Sequence, residues 1–350
     1  MIVRKAKAWR ELMKIGLNVG RLRKEIDVFY RGNILGVLRN EGWFDYLQRP
    51  RTAVDLAAAF RYTDMEFLEY ILNVLVDDGV LSRNGDEYVF QEGQVSFEWD
   101  FPSCFDISMR ELWVDHARAI PDRLRGKFIS FTGGLNLFNW DDALSNRLYE
   151  QIRRAAFSFA DALERPVRFL DVGSGNGRGT AAIWSYYYGR GYFHDGTKMH
   201  IVGIDPSERL LSIARAEFPK MVSEYNGNDL RICDEVNRYP PEFKTGYAEN
   251  IPFEDESFDI VYASQILHWT TPKQAIQEML RVVRPGGFLF GTENFYPDAN
   301  RYSEMHFKVV EGAHGFFYKT DLEQWAREAG ANGVETATPI SVFKITKGIA

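Results

Sequence analysis

Residues 167–180, VRFLDVGSGNGRGT, constrain the fold of this chain more than any other stretch. An apolar, β-prone run ends at a loop in which every second residue is glycine, and a run with helix-forming potential follows at 181–186. Glycines allow a sharp turn and let a ligand approach the main chain, and the N–H groups at a helix start are free to face that ligand. The pattern predicts the strand–loop–helix opening of a nucleotide-binding α/β sheet.

The spacing of these glycines is not that of a dinucleotide site. The G-x-G-x-x-G fingerprint requires glycine at 178 or 180, where this sequence has Arg178 and Thr180. An acid, Asp171, stands two residues before the first glycine and gives the pattern D-x-G-x-G-x-G. For an isolated loop of this kind the alternative is a structural turn with no ligand, so the rest of the chain has to decide.

Composition narrows the possible classes of function. A chain of 350 residues suits two domains, and its net charge of −7 gives no support to non-specific nucleic-acid binding. The two cysteines, Cys104 and Cys233, lie far apart, and the six histidines show no ligand spacing, so neither a disulfide framework nor a metal site is expected. No apolar run approaches the roughly 18–20 residues of a membrane span, and no signal-peptide core is present. These features predict a cytoplasmic protein.

The first hundred residues predict a mainly helical domain. Residues 1–31 are basic with apolar positions at helical spacing, which fits either peripheral contact with an anionic membrane or, as we favour, packing on a neighbouring domain or subunit. Three helical pieces and a hairpin around Asn84-Gly85 follow and suggest a winged-helix-like arrangement. Its helix at 64–78 carries acids and no Lys or Arg, which argues against DNA reading. We therefore predict that residues 1–100 form a dimerisation domain, giving a homodimer.

Residues 101–164 predict a helical linker rich in aromatic side chains. Large aromatic residues are dense over 97–140 and again in an insertion over 295–318. Most are expected in the core or an interface, and some are expected to line an apolar acceptor pocket. His306 and His314 in the insertion are minor candidates to face that pocket.

From residue 165 to 350, strands alternate with helices, which predicts a mostly parallel sheet with helices on both faces. The second strand, 200–205, ends at Asp205, where a carboxylate can accept hydrogen bonds from ribose hydroxyls. A short third strand is expected at 245–250, and Glu249 at its end could accept the adenine amino proton. A fourth strand, 258–263, is followed by polar residues at its carboxyl end, where α/β sheets place their chemistry. Two final strands near 333–339 and 341–346 are expected to close the sheet as a hairpin.

Five features in order resemble the class I S-adenosylmethionine-dependent methyltransferases over residues 165–350. They are the Asp171 glycine motif, Asp205, Glu249, the FDIVYASQILHW strand and RVVRPGG before the fifth strand. The resemblance implies an α/β fold with a Rossmann-like, seven-stranded sheet and S-adenosyl-L-methionine as cofactor. It implies a methionine site at Asp171–Gly175, a ribose site at Asp205 and an adenine site at Glu249 or Asn250. The full predicted cofactor set is Asp171, Gly173, Ser174, Gly175, Asp205, Pro206, Ala248, Glu249, Asn250 and Ser264.

The N-terminal domain together with this core resembles the small-molecule O-methyltransferases that act on hydroxylated aromatics. That resemblance implies His268 as general base and Glu293 as the residue that steadies it. The family's second glutamate is missing, and Tyr318 lies in the corresponding stretch. The segment 267–287 equally resembles quinone-biosynthesis and sterol-type methyltransferases, in which a histidine at this place is common without being a base.

The sequence as a whole predicts methyl transfer to a small or lipid-like acceptor, most simply at a hydroxyl. The alternatives are a C- or N-methyltransferase of the quinone or sterol type without a base role for His268, and a non-catalytic cofactor-binding protein. Nucleic-acid methylation is disfavoured, because the place that carries Asp/Asn-Pro-Pro-aromatic in amino-methylating DNA enzymes reads Ala263-Ser264-Gln265-Ile266. The acceptor itself and the methylated atom are left open.

Overall fold

The computed structural model of this chain describes residues 19–130, 147–160, 167–193, 199–337 and 342–349. The first eighteen residues, and with them most of the basic segment assigned to membrane or subunit contact, lie outside these ranges, as does His194. In the part of the chain that is described, no helix has the length and apolar character that crossing a membrane requires.

The chain divides into two compact units. Among the described residues, the sheet unit comprises 147–160, 167–193, 199–298, 316–337 and 342–349, and the helical unit comprises 19–130 and 299–315. The domain limits predicted from the sequence, 1–100, 101–164 and 165–350, stay a prediction. The two compact units have other boundaries.

The helices and strands are numbered along the chain. The helices are α1 (Val19–Glu41), α2 (Trp43–Tyr46), α3 (Ala53–Phe60), α4 (Met65–Asp77), α5 (Ile107–Arg118), α6 (Ile120–Leu124), α7 (Arg147–Ala160), α8 (Arg178–Tyr188), α9 (Glu208–Tyr225), α10 (Ile232–Arg238), α11 (Pro272–Val282), α12 (Arg301–Phe307) and α13 (Lys319–Glu328). The strands are β1 (Arg51–Thr52), β2 (Leu81–Asn84), β3 (Glu87–Phe90), β4 (Arg168–Val172), β5 (His200–Asp205), β6 (Glu242–Thr245), β7 (Phe258–Ser264), β8 (Val283–Thr292), β9 (Phe295–Tyr296), β10 (Phe317–Tyr318), β11 (Ala331–Ala337) and β12 (Val342–Lys347).

The sheet unit is built on seven strands in the order β11-β12-β8-β7-β4-β5-β6. Strands β6, β5, β4, β7 and β8 are parallel, whereas β12 and β11 pair antiparallel at one edge. The predicted Rossmann-like, seven-stranded sheet and its closing hairpin are confirmed. From β4 the chain continues to β5 on one side of it, whereas β7 lies on its other side. The strand order therefore reverses between β4 and β7, and at this topological switch point a crevice forms at the carboxyl ends of the two strands. Ligands of open α/β sheets bind at such a switch point.

The central strands are buried on both faces, which explains their unbroken apolar sequence. Every residue of β7 except Ser264 at its end is buried, and β4 is buried from Phe169 onward. Strands covered by helices on both faces show such continuous runs rather than alternation. Leu170, Val261 and Leu289 belong to the core on one face, and Phe169, Tyr262 and Phe290 to the core on the other. The carboxyl ends of these strands are therefore held on a rigid support.

The helical unit has the predicted order of helices followed by a hairpin. Strands β2 and β3 pair antiparallel around the turn after Asn84, as predicted, and β1 pairs with β3. Aromatic residues of the stretch after Phe97 pack on α1, where the Phe29 ring lies 5.2–5.6 Å from the rings of Trp99, Phe101 and Phe105. These side chains thus form core packing of this unit. The interpretation as a winged-helix-like dimerisation domain stays a prediction.

The insertion after β9 belongs to the helical unit over residues 299–315. In the sheet unit, β9 and β10 form a two-residue parallel pair that brings the two ends of the insertion together. Within the helical unit His306 is fully buried, its Nδ1 lies 2.9 Å from the Tyr302 carbonyl oxygen, and burial lowers its pKa to about 3. His306 therefore serves the core of that unit, and His314 is exposed.

Several predicted boundaries were wrong. The third strand of the sheet runs over Glu242–Thr245 instead of 245–250, so Ala248, Glu249 and Asn250 lie in the loop after it. The helical piece predicted at 33–39 is part of the longer α1. The apolar periodicity of these segments fixed the type of element and left its ends open.

Gly291 offers a test of this sheet. A Cβ at Gly291 in β8 would lie 1.6 Å from the carbonyl oxygen of Ala263 in β7. We predict that Gly291→Ala lowers the free energy of unfolding by about 3 kcal/mol or more, since overpacking must separate the two strands. Urea denaturation measures this effect. The matched control is Gly333→Ala in the edge strand β11, where a Cβ would meet nothing within 4 Å; equal losses in both variants would contradict the strand register.

Candidate active site

The loop after β4 turns back over the crevice with three left-handed glycines. Gly173, Gly175 and Gly177 have φ of 71°, 54° and 85°, a region that L side chains rarely adopt. The N–H groups of Gly173 and Ser174 both donate to the carbonyl of Ile204 in β5, at 2.8 and 2.9 Å. A Cβ on Gly173 would lie 2.5 Å from Cγ2 of Ile266. The glycines are thus required by backbone shape and by close packing.

Asp171 lies at the carboxyl end of β4 and is almost fully buried. Its Oδ2 accepts a hydrogen bond from Thr180 Oγ1 at 2.6 Å. Burial raises the pKa of Asp171 to about 7, although the Thr180 hydrogen bond and the charge of Arg153 lower it, and the nearby Asp205 raises it further. The free protein thus holds this carboxyl in surroundings that disfavour negative charge.

Asp205 closes the loop from the neighbouring strand. Its Oδ2 accepts from the Gly175 N–H at 3.0 Å, and its Oδ1 accepts from the Ser207 N–H at 2.8 Å. Burial raises the pKa of Asp205, while these two backbone donors lower it. Each carboxylate oxygen has two lone pairs, so both retain an acceptor position for a ligand hydroxyl.

Two further predicted residues lie beside this loop. Ser174 is buried, and its Oγ has no hydrogen-bond partner among the described residues. Such an orphaned hydroxyl is expected where a bound ligand supplies the partner. Pro206 follows Asp205 directly and precedes Ser207, whose side chain caps α9 by accepting from the Leu210 N–H.

The three residues predicted to contact the adenine edge differ in their exposure and in their contacts. Ala248 is buried and Asn250 is exposed. The carboxylate of Glu249 accepts the Thr271 N–H at 2.8 Å, just before α11, and its carbonyl accepts from Gln274. Glu249 therefore already tethers this loop to a helix start, a role that the sequence did not indicate.

His268 and Glu293 form a buried hydrogen-bonded pair. His268 lies in a short 3₁₀ turn after β7, and Glu293 directly follows β8. Nδ1 of His268 is 2.8 Å from Oε1 of Glu293, and the two side chains are 1% and 0% exposed. The carboxylate also accepts the N–H groups of Asn294 at 2.8 Å and of His268 at 3.3 Å. These contacts fix the imidazole ring and direct Nε2 away from Glu293.

A polar network holds the ends of β7 and β8 in place. Ser264 Oγ lies 2.8 Å from Thr292 Oγ1, and the Gln265 N–H donates to the Thr292 carbonyl. Gln265 adopts φ of 54°, and its side-chain oxygen accepts from Asn294 Nδ2 at 3.2 Å. A non-glycine residue with positive φ is uncommon and costs free energy, and residues strained in this way cluster at functional sites.

Aromatic rings surround the imidazole. The ring centroid of His268 lies 4.8 Å from that of Trp269 and 5.6 Å from that of Phe316. Tyr296 stands 6.2 Å from Phe316 and 5.4 Å from Tyr318. Phe316 thus packs on the imidazole, and Tyr318, the substitute suggested for the family's second glutamate, is more than half exposed.

Three residues near the site escaped the sequence analysis. Thr180 holds Asp171, and its place in the glycine motif drew attention only as a mismatch. Tyr149 and Arg153 come from α7, which precedes the sheet. Burial raises the pKa of Tyr149 to about 12, while the charge of Arg153 lowers it and the charge of Glu293 raises it. Tyr149 and Arg153 lie outside every motif used in the sequence analysis, so nothing in the sequence pointed to them.

Comparison with known proteins adds to this geometry. Residues 170–291 match the family model described as a methyltransferase domain. Over 122 residues the chain is 33% identical to an uncharacterized methyltransferase of Mycobacterium tuberculosis, a match over 35% of this chain and 37% of that protein. Over 78 residues it is 38% identical to phthiotriol/phenolphthiotriol dimycocerosates methyltransferase 1 of Mycobacterium ulcerans, covering 20% of this chain and 29% of that protein. The matches thus span well under half of either relative.

A solved structure is similar over nearly the whole chain. The citrinin polyketide synthase CMeT domain superposes with a TM-score of 0.68 at 16% identity, covering 99% of this chain and 95% of that one. At this identity the likeness establishes a shared fold.

The raised pKa of Asp171 makes a testable prediction for the ligand-free protein. A carboxyl whose pKa rises from 3.8 to about 7 on folding stabilises the fold at low pH, and this stabilisation is lost as pH rises from about 4 to about 7. We predict that Asp171→Asn removes this loss. The free energy of unfolding of Asp171→Asn, relative to that of wild type, should therefore be on the order of 2 kcal/mol higher at pH 8 than at pH 5.

Urea denaturation at pH 5 and at pH 8 measures this difference in the free energy of unfolding. Exposed Asp234 supplies the matched control, since Asp234→Asn should leave the pH dependence unchanged. A gain from Asp171→Asn that is the same at both pH values would contradict the buried, anion-disfavouring environment of Asp171.

Proposed function

We propose that this chain, which carries a class I S-adenosylmethionine-dependent methyltransferase domain, transfers a methyl group to a small or lipid-like acceptor that His268 deprotonates. The observation that carries this proposal is the buried His268–Glu293 pair at the carboxyl ends of β7 and β8, on the same edge of the sheet as the glycine loop. A hydroxyl is the acceptor group we favour.

The residues around the glycine loop fit the cofactor. S-adenosylmethionine, when bound, supplies an electrophilic methyl group on a positively charged sulfur. Asp205 would accept the ribose hydroxyls, and the loop from Asp171 to Gly175 would hold the methionine part. Two buried carboxyls with raised pKa values suit a ligand that brings positive charge, and Ser174 offers an unsatisfied hydroxyl. We also propose that Ala248 and Asn250 border the adenine, where Glu249 contributes mainly as a tether.

Glu293 prepares His268 to accept a proton. A carboxylate that accepts Nδ1–H selects the tautomer in which Nε2 carries the lone pair. As His268 takes the acceptor proton at Nε2, the negative charge of Glu293 stabilises the imidazolium that forms. Burial of both groups strengthens this interaction, because little water screens it.

The aromatic surroundings of His268 suit an apolar acceptor. Trp269, Phe316 and Tyr296 can hold a ring or chain by contact while water is excluded from the reacting groups. The Mycobacterium ulcerans relative is named for phthiotriol and phenolphthiotriol dimycocerosates, and that name supports a lipid-like acceptor bearing a hydroxyl. Alignment of such an acceptor would supply most of the remaining rate enhancement.

Carbon is the second candidate for the methylated atom. A neutral imidazole held by a carboxylate can remove a proton from an acidic carbon as well as from a hydroxyl, so the pair itself favours neither. Proton and carbon NMR of the product, made with ¹³C-methyl cofactor, separates an O-methyl from a C-methyl group. A sterol- or quinone-type reaction without a base would leave His268 dispensable.

Removal of the base tests the mechanism. We predict that His268→Gln lowers kcat by about 10²–10⁴-fold and that Glu293→Gln lowers it by a smaller factor, because general bases contribute at this scale. Cofactor affinity should change little in either variant. The assay follows S-adenosylhomocysteine release on a panel of phenols, quinols and isoprenoid alcohols.

The chain contains a matched control for this pair. His200 Nε2 lies 2.8 Å from Glu242 Oε1 in a partly exposed pair at the start of β5, and His200→Gln should leave kcat unchanged. Full activity of His268→Gln would contradict the role of His268 as general base. Cofactor binding without turnover on any acceptor would favour a non-catalytic protein.

Removal of the Asp205 carboxylate, which would accept hydrogen bonds from the ribose, tests the cofactor site. We predict that Asp205→Ala weakens S-adenosylmethionine binding about 10- to 100-fold, since hydrogen bonds to a charged group are lost. Calorimetry measures the affinity, with NAD as a ligand that should not bind to either protein. Absence of S-adenosylmethionine binding by folded wild-type protein would overturn the proposal.

A further inference from the structure

Gln265 has an unusual backbone at the end of β7. Among the described residues, four non-glycine residues have positive φ, and three of them, Arg61, Asn228 and Glu256, are exposed. The fourth is Gln265, which is half-buried and has φ of 54°. Glycine adopts this conformation at lower cost because it has no Cβ, and asparagine is enriched in it. The reason for a glutamine at this position therefore lies in its side chain.

The left-handed turn at Gln265 redirects the chain after β7. Ile266 then packs on the glycine loop, where a Cβ on Gly173 would lie 2.5 Å from the Cγ2 atom of Ile266. A 3₁₀ turn follows, and His268 within it returns to Glu293. An extended residue at 265 would instead carry the chain onward in the direction of the strand. The place of His268 thus depends on this turn.

The main chain and the side chain of Gln265 tie the end of β7 to the residues around the end of β8. The N–H of Gln265 donates to the Thr292 carbonyl oxygen at 2.8 Å and so continues the pairing of the two strands past Ser264. Its side-chain Oε1 accepts from Asn294 Nδ2 at 3.2 Å, and its Nε2 donates to Thr292 Oγ1 at 3.4 Å. Gln265 thus holds the residues on both sides of Glu293.

This tie reaches the carboxylate that orients the imidazole. The N–H of Asn294 donates to Glu293 Oε1 at 2.8 Å, and the same oxygen lies 2.8 Å from His268 Nδ1. One carboxylate oxygen therefore serves both the backbone of residue 294 and the histidine ring. Hydrogen bonds weaken steeply with distance and angle, so a shift of Asn294 would also change the bond between Glu293 and His268.

We propose that Gln265 is a positioning residue for the general base, a step that rests on the proposed function of His268. Its amide holds the segment 292–294 against the end of β7 and thereby sets the geometry between Glu293 and His268. Proton transfer requires a base within a narrow range of positions, and a displacement of about 1 Å can cost up to about 10²-fold in rate. The contribution of the amide to the site offsets the strain of the left-handed backbone.

Removal of the amide tests this role. Gln265→Gly loses the side chain and accepts the left-handed backbone without strain. We predict that it lowers kcat by about 5- to 30-fold with little change in the KM of the acceptor, because the geometry of proton removal is lost while ground-state binding is kept. Release of S-adenosylhomocysteine measures both constants.

Cofactor affinity should be kept in this variant. The N–H groups of Gly173 and Ser174 hold the glycine loop on the Ile204 carbonyl of β5, without help from Gln265. Calorimetry with S-adenosylmethionine measures the affinity. A loss of affinity together with kcat would indicate general damage to the site and would contradict the positioning role.

Glu256→Gly is the matched control for the change in backbone freedom. Glu256 has φ of 56°, is exposed and lies in the turn before β7, at the other end of the same strand. Its replacement by glycine should leave kcat at the wild-type value. If Gln265→Gly fails to fold, Gln265→Asn carries the test with the same expected loss, because asparagine tolerates positive φ and its amide is one carbon shorter.

A double-mutant cycle shows whether Gln265 acts through Glu293. Once Glu293→Gln has removed the carboxylate, adding Gln265→Gly should lower kcat by no more than about twofold, because the group that Gln265 positions is gone. Multiplication of the two separate losses would instead mean that Gln265 acts independently of Glu293, and it would overturn the proposal.

The hydrogen bond can also be observed without an acceptor. The Nδ1–H proton of His268, bound to a carboxylate, should give a proton NMR resonance far downfield in the ligand-free protein, and its absence from His268→Gln assigns it. Gln265→Gly should move this resonance upfield, because the bond to Glu293 is weakened. Glu256→Gly should leave the resonance in place.

The outcomes separate this inference from the proposed function. An impaired His268→Gln beside a Gln265→Gly with wild-type kcat, or an unmoved resonance in Gln265→Gly, would overturn the positioning role and leave the proposed function standing. Full activity of His268→Gln would overturn both.

Discussion

Burial of charge at the carboxyl edge of the sheet shapes the loops and the strand ends around it. Asp171 and Asp205 are taken almost completely out of water, and their raised pKa values record the free energy that this costs. The glycine loop offsets part of that cost, because its turns direct the Gly175 N–H at Asp205. A sheet covered by helices on both faces supplies the rigid, dry edge on which such groups can be held.

The same edge explains how residues that are distant in the sequence come together. Parallel pairing of β7 with β8 sets Ser264 opposite Thr292, and the residues that continue from these two ends bring His268 to Glu293. A one-residue slip between the strands would move each side chain to the other face. The close contact of Gly291 with β7 and the left-handed Gln265 both belong to this register, so packing and chemistry are coupled here.

The division into two units changes the interpretation of the aromatic residues. Those at 97–105 pack on α1 within the helical unit, and the insertion at 299–315 belongs to the same unit although it interrupts the sheet unit in sequence. The rings that pack on the imidazole are instead those at 269 and 316. Aromatic density in a sequence therefore indicated a core and left open which core.

Local sequence was sufficient to predict the type and order of most elements, the glycine loop, and the acids at the ends of β4 and β5. The resemblance to the O-methyltransferases implied the pair His268 and Glu293. The elements, the loop and the acids follow from local periodicity, from turn chemistry and from motif spacing, all of which act over a few residues. Tertiary packing was needed to show that β6 ends at Thr245, that Glu249 tethers a helix start, and that Thr180 holds Asp171. Such facts depend on which helix covers which strand, and that choice is made by the packing of side chains far apart in the chain.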